Sequence, residues 1–204
     1  MASTPSAPAR SARFDGVRIL FALVAVMWLS EIVDTAADHR LDRYGIEPRD
    51  ADGLIGVVTA PFLHLGFDHL ISNTVPFIAM GLAIALAGAA RVVAVTAVVA
   101  AISCVGTWLT APENSVTIGA SGIVFGYATY LIARGLFTRG MLDLGVGVLV
   151  IVLWGGALLG GLLPEQGISW QGHLFGAIGG IVAARLLARR PSAPAGRAPA
   201  LPAR

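Results

Sequence analysis

The sequence contains no lysine, a single cysteine and few charges of either sign. Its 204 residues include 14 basic side chains, all arginine, and 12 acidic ones, so that 13% of the chain is charged. A soluble domain carries about 25%, and so few charges cannot cover the surface of a soluble globule of this size. The lone Cys104 excludes a disulfide scaffold, and a hydrophobic content of 56% excludes intrinsic disorder. The composition therefore indicates a polytopic membrane protein.

Long apolar runs make up most of the chain, with a mean hydropathy of +0.78. A hydrocarbon core about 30 Å thick needs about 20 apolar residues per helix. We therefore predict an all-α polytopic membrane protein whose core is a six-transmembrane-helix bundle. The six predicted spans are 17–36, 69–88, 91–110, 120–137, 141–163 and 169–187. This division predicts an N-terminal cytoplasmic tail at 1–16, a helical domain at 17–187 and a disordered cytoplasmic tail at 188–204.

The arginines lie mainly at one set of ends of these spans. If both termini are inside, the inner arginines are Arg10, Arg13, Arg18, Arg91, Arg134, Arg139, Arg185, Arg189, Arg190, Arg197 and Arg204. Only Arg40, Arg43 and Arg49 then lie outside. The positive-inside rule predicts cytoplasmic termini from this asymmetry. The basic charge is thus assigned to the membrane lipid interface, with no nucleic-acid partner, and the lysine-free composition favours a bacterial plasma membrane protein.

The connection at 37–66 does not fit the pattern of simple spans. Its apolar part, 54–65, is too short to cross a membrane and contains Pro61, which predicts an interfacial or re-entrant segment. We expect Glu31 and Asp34 to mark the point where the first helix leaves the bilayer, and His39 to be solvated. His64 is expected to have a structural role in the loop.

Four polar residues lie inside predicted spans, where such groups are costly. His69 and Asn73 open the second span, Ser121 opens the fourth, and His173 lies near the start of the sixth. Ser121 follows His69 by 52 residues, and His173 follows Ser121 by another 52. Two spans and two short loops account for each interval, so these residues should lie at similar depth near the outer surface, where they could share one cavity.

A serine and a histidine at one depth favour nucleophilic catalysis. Serine needs a neighbouring base, and His173 has an ordinary pKa near the working pH. His69 and Asn73 are four residues apart, so they share a helix face and could donate to a developing oxyanion with the Ser121 N–H. No acidic residue is placed to orient His173, which predicts a Ser–His dyad.

Glycines and one aromatic residue surround the predicted dyad. Gly119 and Gly122 flank the serine and permit close backbone approach. Gly176 and Gly180 follow His173 on one helix face and predict a close contact with the fourth helix. Phe125, one turn after the serine, is placed to stack on the imidazole of the histidine.

At these residues the sequence resembles the rhomboid family of intramembrane serine proteases. The matching stretches are Phe62-Leu-His64, His69-Leu-Ile-Ser-Asn73, Gly119-Ala-Ser-Gly-Ile-Val-Phe-Gly126 and His173-Leu-Phe-Gly176 followed by Gly180. The resemblance implies that Ser121 is the nucleophile and His173 the general base. It also implies that His69 and Asn73 assist the oxyanion, with transmembrane-helix proteins as substrates, cut near their outer ends.

The sequence departs from the family pattern at two places. The Trp-Arg pair common in the first outer loop is absent, with 52–56 near its expected position, and Phe125 stands where the family often has tyrosine.

Two other functions compete with proteolysis. One is a rhomboid-like protein that binds transmembrane clients without cutting them. The other is a small haem or transport protein with His69 and His173 as axial ligands. The favoured hypothesis needs no metal and no cofactor.

Overall fold

The computed structural model describes residues 7–188, the first four of them by their backbone alone. Six helices of 18 residues or more account for most of this range. They are α1 (Ala7–Ala36), α2 (Gly66–Ala85), α3 (Ala89–Thr110), α4 (Ser121–Thr138), α5 (Met141–Gly160) and α6 (Trp170–Leu187). Within residues 7–188 the only β-type pairing is an isolated bridge between Ile46 and Thr117. The all-α prediction is therefore confirmed.

Four of these helices are long and apolar enough to cross a membrane. They are α1 from Ser11, α2, α3 and α5. Helices α4 and α6 have 18 residues each and carry the polar residues of the predicted site, which lower their hydropathy. That these two helices cross the membrane stays a prediction. The count of six spans therefore also stays a prediction.

The helix ends differ from the predicted spans by several residues. Helix α1 begins at Ala7 rather than at residue 17, because alanine and arginine favour helix although hydropathy alone does not mark them as a span. Residues 7–16 of the predicted N-terminal tail are therefore helical. Helix α2 lies three residues earlier than predicted at both ends. The predicted C-terminal tail from residue 189 onwards lies outside the described residues.

Helices α4 and α6 form the closest pair in the bundle, and glycines make this approach possible. A Cβ atom at Gly176 would lie 2.0 Å from the carbonyl oxygen of Gly122. One turn further along, a Cβ atom at Gly180 would lie 2.1 Å from the carbonyl oxygen of Gly126. Because both obstacles are backbone atoms, neither can move aside easily. The two backbones are thus in direct contact, as in other small-residue helix pairs.

Hydroxyl groups add hydrogen bonds to α6 from both sides. The Ser103 hydroxyl of α3 donates to the carbonyl oxygen of Gly172 over 2.8 Å. The Thr129 hydroxyl of α4 donates to the carbonyl oxygen of Ala177, also over 2.8 Å. Such bonds between helices are worth about 0.6 kcal/mol each on average in membrane proteins. Helix α6 is therefore held in a defined position between α3 and α4.

Helix α5 is the least enclosed helix of the bundle. Among the described residues it packs extensively only against α4, and only 11% of its apolar window is buried inside the protein. Near its first residue, Arg134 of α4 forms an ion pair with Asp143 over 3.2 Å. Helix α5 thus has no extensive contact with α2, and residues of both helices line one cavity.

The connection between α1 and α2 is a folded cap rather than a single re-entrant segment. It contains four short helical turns at Asp42–Tyr44, Asp52–Ile55, Gly56–Thr59 and Ala60–Phe62. Ile46 exchanges backbone hydrogen bonds with Thr117, which joins the cap to the chain just before α4. The side chains of Leu54, Ile55 and Val58 are exposed, and their position at a membrane interface stays a prediction.

The acidic residues near the C-terminal end of α1, which the sequence predicts to mark where this helix leaves the bilayer, are buried within the protein. Glu31 and Asp34 are each 1% exposed. The Leu41 N–H donates to Asp34 Oδ1 over 2.6 Å, so the chain folds back over the helix end. Burial and the neighbouring Asp34 carboxylate raise the pKa of Asp42 to about 6. The His39 side chain is half exposed and contacts Asp34.

Replacing Gly180 with alanine tests the contact between α4 and α6. The added Cβ would meet the Gly126 carbonyl, and overpacking of this kind costs about 1–3 kcal/mol. We therefore expect Gly180→Ala to lower the midpoint of thermal unfolding in detergent. Gly145→Ala is the matched control, because no atom lies within 4 Å of its Cβ position and alanine favours helix by up to about 1 kcal/mol. Equal midpoints for the two variants would contradict this packing.

Candidate active site

Ser121 is the first residue of α4, and a tight backbone turn places it there. Gly119 has a φ of +118°, a conformation that side chains disfavour. A Cβ atom at this position would also lie 2.8 Å from His69 Cε1. The Gly119 N–H donates to the carbonyl oxygen of Ala60 over 2.8 Å. Glycine is thus required here both by conformation and by the proximity of the histidine.

His173 lies in the first turn of α6 and contacts the serine directly. The distance from His173 Nε2 to Ser121 Oγ is 2.9 Å, and that from Nδ1 to the Gly161 carbonyl oxygen is 2.7 Å. Because a carbonyl oxygen can only accept, Nδ1 carries the hydrogen. In the neutral ring, Nε2 is then free to accept the hydrogen of the serine hydroxyl. This is the tautomer that a general base for Ser121 needs.

The imidazole of His173 is held by a ring and a carbonyl, with no carboxylate among its contacts. Phe125 stacks on it with 4.1 Å between ring centroids and 4° between planes. Gly161 follows the end of α5, where a Cβ atom would lie 2.6 Å from Phe125 Cζ and 3.0 Å from His173 Nδ1. The sequence analysis did not foresee the role of Gly161, because every residue has a carbonyl oxygen and only the fold selects one.

His69 and Asn73 lie in the first two turns of α2. The Leu65 N–H donates to His69 Nδ1 over 3.2 Å, so in the neutral ring the hydrogen is on Nε2. That nitrogen lies on the side of Gly119. The Asn73 Nδ2 donates to the His69 carbonyl oxygen over 2.9 Å, and Asn73 is 4% exposed. Both residues are therefore oriented as donors near the start of α4.

One cavity of about 1100 Å³ brings the four polar residues together. Ser121, His173, His69 and Asn73 all line it, with Phe125 beside them. The other predicted supporting residues lie elsewhere. Gly119 lies behind His69, whereas Gly122, Gly176 and Gly180 lie in the contact between α4 and α6. These three glycines therefore position the helices and do not line the cavity.

His64 supports the start of α4 in a way that the sequence did not reveal. It is fully buried, and its Nε2 accepts a hydrogen bond from the Ala120 N–H over 3.3 Å. Its ring lies edge-on to His69 with centroids 5.2 Å apart. Burial, and secondarily the neighbouring His69, lower the pKa of His64 to about 4. The sequence predicted a structural role for His64 within a family motif, but the contact with the Ala120 N–H depends on the fold.

The described fold is that of an all-helical integral membrane protein with a serine and a histidine in contact. A Rhomboid domain family model matches residues 51–190, and the chain belongs to the rhomboid family. Among its relatives, a Mycobacterium bovis protein is 42% identical over 194 residues, covering 91% of this chain and 79% of its own. A Mycobacterium leprae protein is 42% identical over 181 residues, covering 84% and 71%. Both are named as uncharacterized proteins.

A more distant relative has a name that refers to an activity. The Bacillus subtilis protein "Putative rhomboid protease YdcA" is 30% identical over 176 residues, covering 81% of this chain and 85% of its own. The recognition of the family from these short motifs is therefore confirmed.

The buried His64 predicts a loss of stability in acid. Its folded pKa of about 4 lies below the ordinary 6.5, so below pH 6.5 the unfolded chain binds a proton that the folded protein does not. The contribution of neutral His64 to the free energy of unfolding is complete above pH 6.5 and is lost as the pH falls towards 4. At pH 5 the loss is about 2 kcal/mol. The midpoint of thermal unfolding should fall further between pH 7.5 and pH 5 in wild type than in His64→Gln. Equal decreases would contradict the assignment.

Proposed function

We propose that this protein is an intramembrane serine endopeptidase. It hydrolyses a peptide bond in or near the outer end of transmembrane helices of other membrane proteins. The observation that carries the proposal is the 2.9 Å contact between Ser121 Oγ and His173 Nε2, with Nδ1 of the same ring held by the Gly161 carbonyl. Family membership and the name of the Bacillus subtilis relative support it.

The dyad carries out both halves of the reaction. His173 Nε2 takes the proton of Ser121 as Oγ attacks the carbonyl carbon of the substrate, and it then gives this proton to the departing amine. A water molecule, deprotonated by the same nitrogen, next hydrolyses the acyl-enzyme and restores the serine. The Gly161 carbonyl keeps its bond to Nδ1 throughout, and this holds the imidazolium in place without a buried carboxylate.

The oxyanion of the tetrahedral intermediate is stabilised by donors at the start of α4. The Ser121 N–H is one of the amides at the helix N-terminus, which have no partner within the helix and carry partial positive charge. His69 Nε2–H and the Asn73 amide complete the proposed oxyanion hole. Because these donors are held by other contacts before substrate binds, they need little reorganisation during the reaction.

The space between α2 and α5 provides the route for the substrate. Helix α5 packs extensively only against α4, and residues of both α2 and α5, such as Pro76 and Trp154, line the cavity with the dyad. A substrate helix would enter sideways through this space, and water would arrive from the outer side under the cap. This arrangement requires cytoplasmic termini and a site near the outer face, as the arginine distribution predicts.

Axial ligation of haem is the less favoured alternative. An axial histidine needs one ring nitrogen free for the iron, whereas Gly161 and Ser121 engage both nitrogens of His173. A client-binding role without cleavage would not need the serine and histidine to be in contact. Activity measurements separate that role from proteolysis.

Ser121→Ala and His173→Ala should each abolish cleavage of a fluorescent transmembrane peptide by the purified protein. Ser115→Ala is the control, because Ser115 lines the same cavity while its hydroxyl donates to the Pro112 carbonyl, so this variant should keep wild-type activity. Cleavage retained in Ser121→Ala would contradict the proposal. Wild-type protein that binds the peptide without cutting it would favour the client-binding role.

Asn73→Ala should slow turnover without abolishing it. Loss of one oxyanion donor lowers kcat by about 10²–10³-fold, and KM should change little because the ground state gains less from this donor. Ser72→Ala is the matched control, since the Ser72 hydroxyl also donates to the His69 carbonyl. If Asn73 acted only by holding the backbone of His69, both variants would lower kcat to a similar extent.

A further inference from the structure

A cluster of metal-ligating side chains lies at the outer end of α1, under the cap. Asp34, His39 and Asp42 each offer one ligand atom, and these atoms all lie within 4.8 Å of one another. Asp34 is buried, Asp42 is partly buried and His39 is half exposed. This grouping could not be predicted from the sequence, because the chain must first fold back after α1 to bring the three residues together.

The cluster has an excess of negative charge. A carboxylate oxygen of Asp34 and one of Asp42 lie within 4.8 Å of each other, and Glu31 is close enough to interact electrostatically with both residues. Two carboxylates this close must share a proton or a cation. No arginine forms an ion pair with the cluster in the part of the chain that the structure describes, and one imidazole cannot neutralise three carboxylates. The geometry therefore favours a bound cation.

Two buried carboxylate oxygens in this region have no donor. Glu31 is 1% exposed, and its Oε2 accepts no hydrogen bond within residues 7–188, although the Gly66 N–H lies nearby. The Oδ1 of Asp42 is also buried without a hydrogen-bond partner. A buried charged oxygen without a partner costs more than the roughly 1–3 kcal/mol of a neutral group. A cation beside these oxygens would remove that cost.

We propose that Asp34, His39 and Asp42 bind one divalent transition metal ion, Zn²⁺ or Mn²⁺. Ligand atoms about 2.0–2.2 Å from an ion lie roughly 3.0–3.6 Å apart at adjacent positions. The 3.2 Å from His39 Nδ1 to Asp34 Oδ2 fits this range. The imidazole ligand favours Zn²⁺ over Ca²⁺, which prefers oxygen alone, whereas the two carboxylates also suit Mn²⁺. Glu31, which interacts electrostatically with Asp34 and Asp42, adds negative charge that favours the cation.

The metal ion would fasten the cap to the first helix. His39 and Asp42 follow the end of α1, whereas Asp34 lies within it, so one ion joins the helix to the start of the outer connection. The half-exposed His39 provides access from the outer side. Binding requires His39 to be neutral with Nδ1 free of hydrogen. The contact between His39 Nδ1 and Asp34 Oδ2 is then replaced by one bond from each of these atoms to the ion.

Metal titration of the full-length protein in detergent tests the site. After treatment with a chelator, wild type should take up one equivalent of Zn²⁺ or Mn²⁺ per chain, with a rise in the midpoint of thermal unfolding. His39→Ala and Asp42→Asn should each weaken this uptake by more than about tenfold. The half-exposed His39 can be removed without opening the core, so this variant stays informative if Asp42→Asn folds poorly. Asp38→Asn, an exposed neighbour, is the matched control and should bind as wild type does.

Histidines in the cavity could also bind added metal, so His173→Ala serves as a second control. Uptake equal to wild type in that variant supports the site at α1. The proposal is overturned if wild type shows no saturable uptake, or if His39→Ala binds as tightly as wild type. It is also overturned if acid alone raises the unfolding midpoint while no metal is taken up, because the carboxylates then share a proton.

Discussion

The backbone contact between α4 and α6 is the constraint on which the proposed site depends. Gly176 lies against the carbonyl of Gly122, and Gly180 lies against that of Gly126. At this separation the Ser121 and His173 side chains, one near the start of each helix, come within 2.9 Å of each other. A single methyl group in the interface would push the helices apart. This separation would break the hydrogen bond between the serine and the histidine.

A second layer of contacts fixes the directions of the groups that this packing brings together. The Gly161 carbonyl sets the tautomer of His173, and His64 holds the amide that precedes Ser121. Neutral backbone and imidazole groups take the place of a charged triad member. In an apolar environment this has a physical advantage, because a buried carboxylate without a full set of partners is costly. The groups that contact the imidazole of His173 are accordingly a neutral ring, a backbone carbonyl and the serine hydroxyl.

The contact between Ser121 and His173 was more predictable from the sequence than the groups that surround it. Ser121 and His173 could be placed together because the spacing of spans fixes depth, and Gly176 marked a helix contact through its position on one face. The Gly161 carbonyl could not be foreseen, since nothing in a side chain marks which backbone oxygen the fold will use. Helix α1 also begins ten residues before the predicted span, because hydropathy detects the bilayer and not the helix. The burial of Asp34 depends on a chain reversal that local sequence does not specify.

The central claim is that Ser121 is a nucleophile activated by His173. Intact-mass and peptide mass spectrometry after reaction with a fluorophosphonate test it most directly, because the reagent reports a covalent bond to the activated oxygen. We expect one adduct per chain, on the peptide that contains Ser121, and no adduct in His173→Ala. An adduct on another residue, or labelling of Ser121 that is unchanged in His173→Ala, would contradict it.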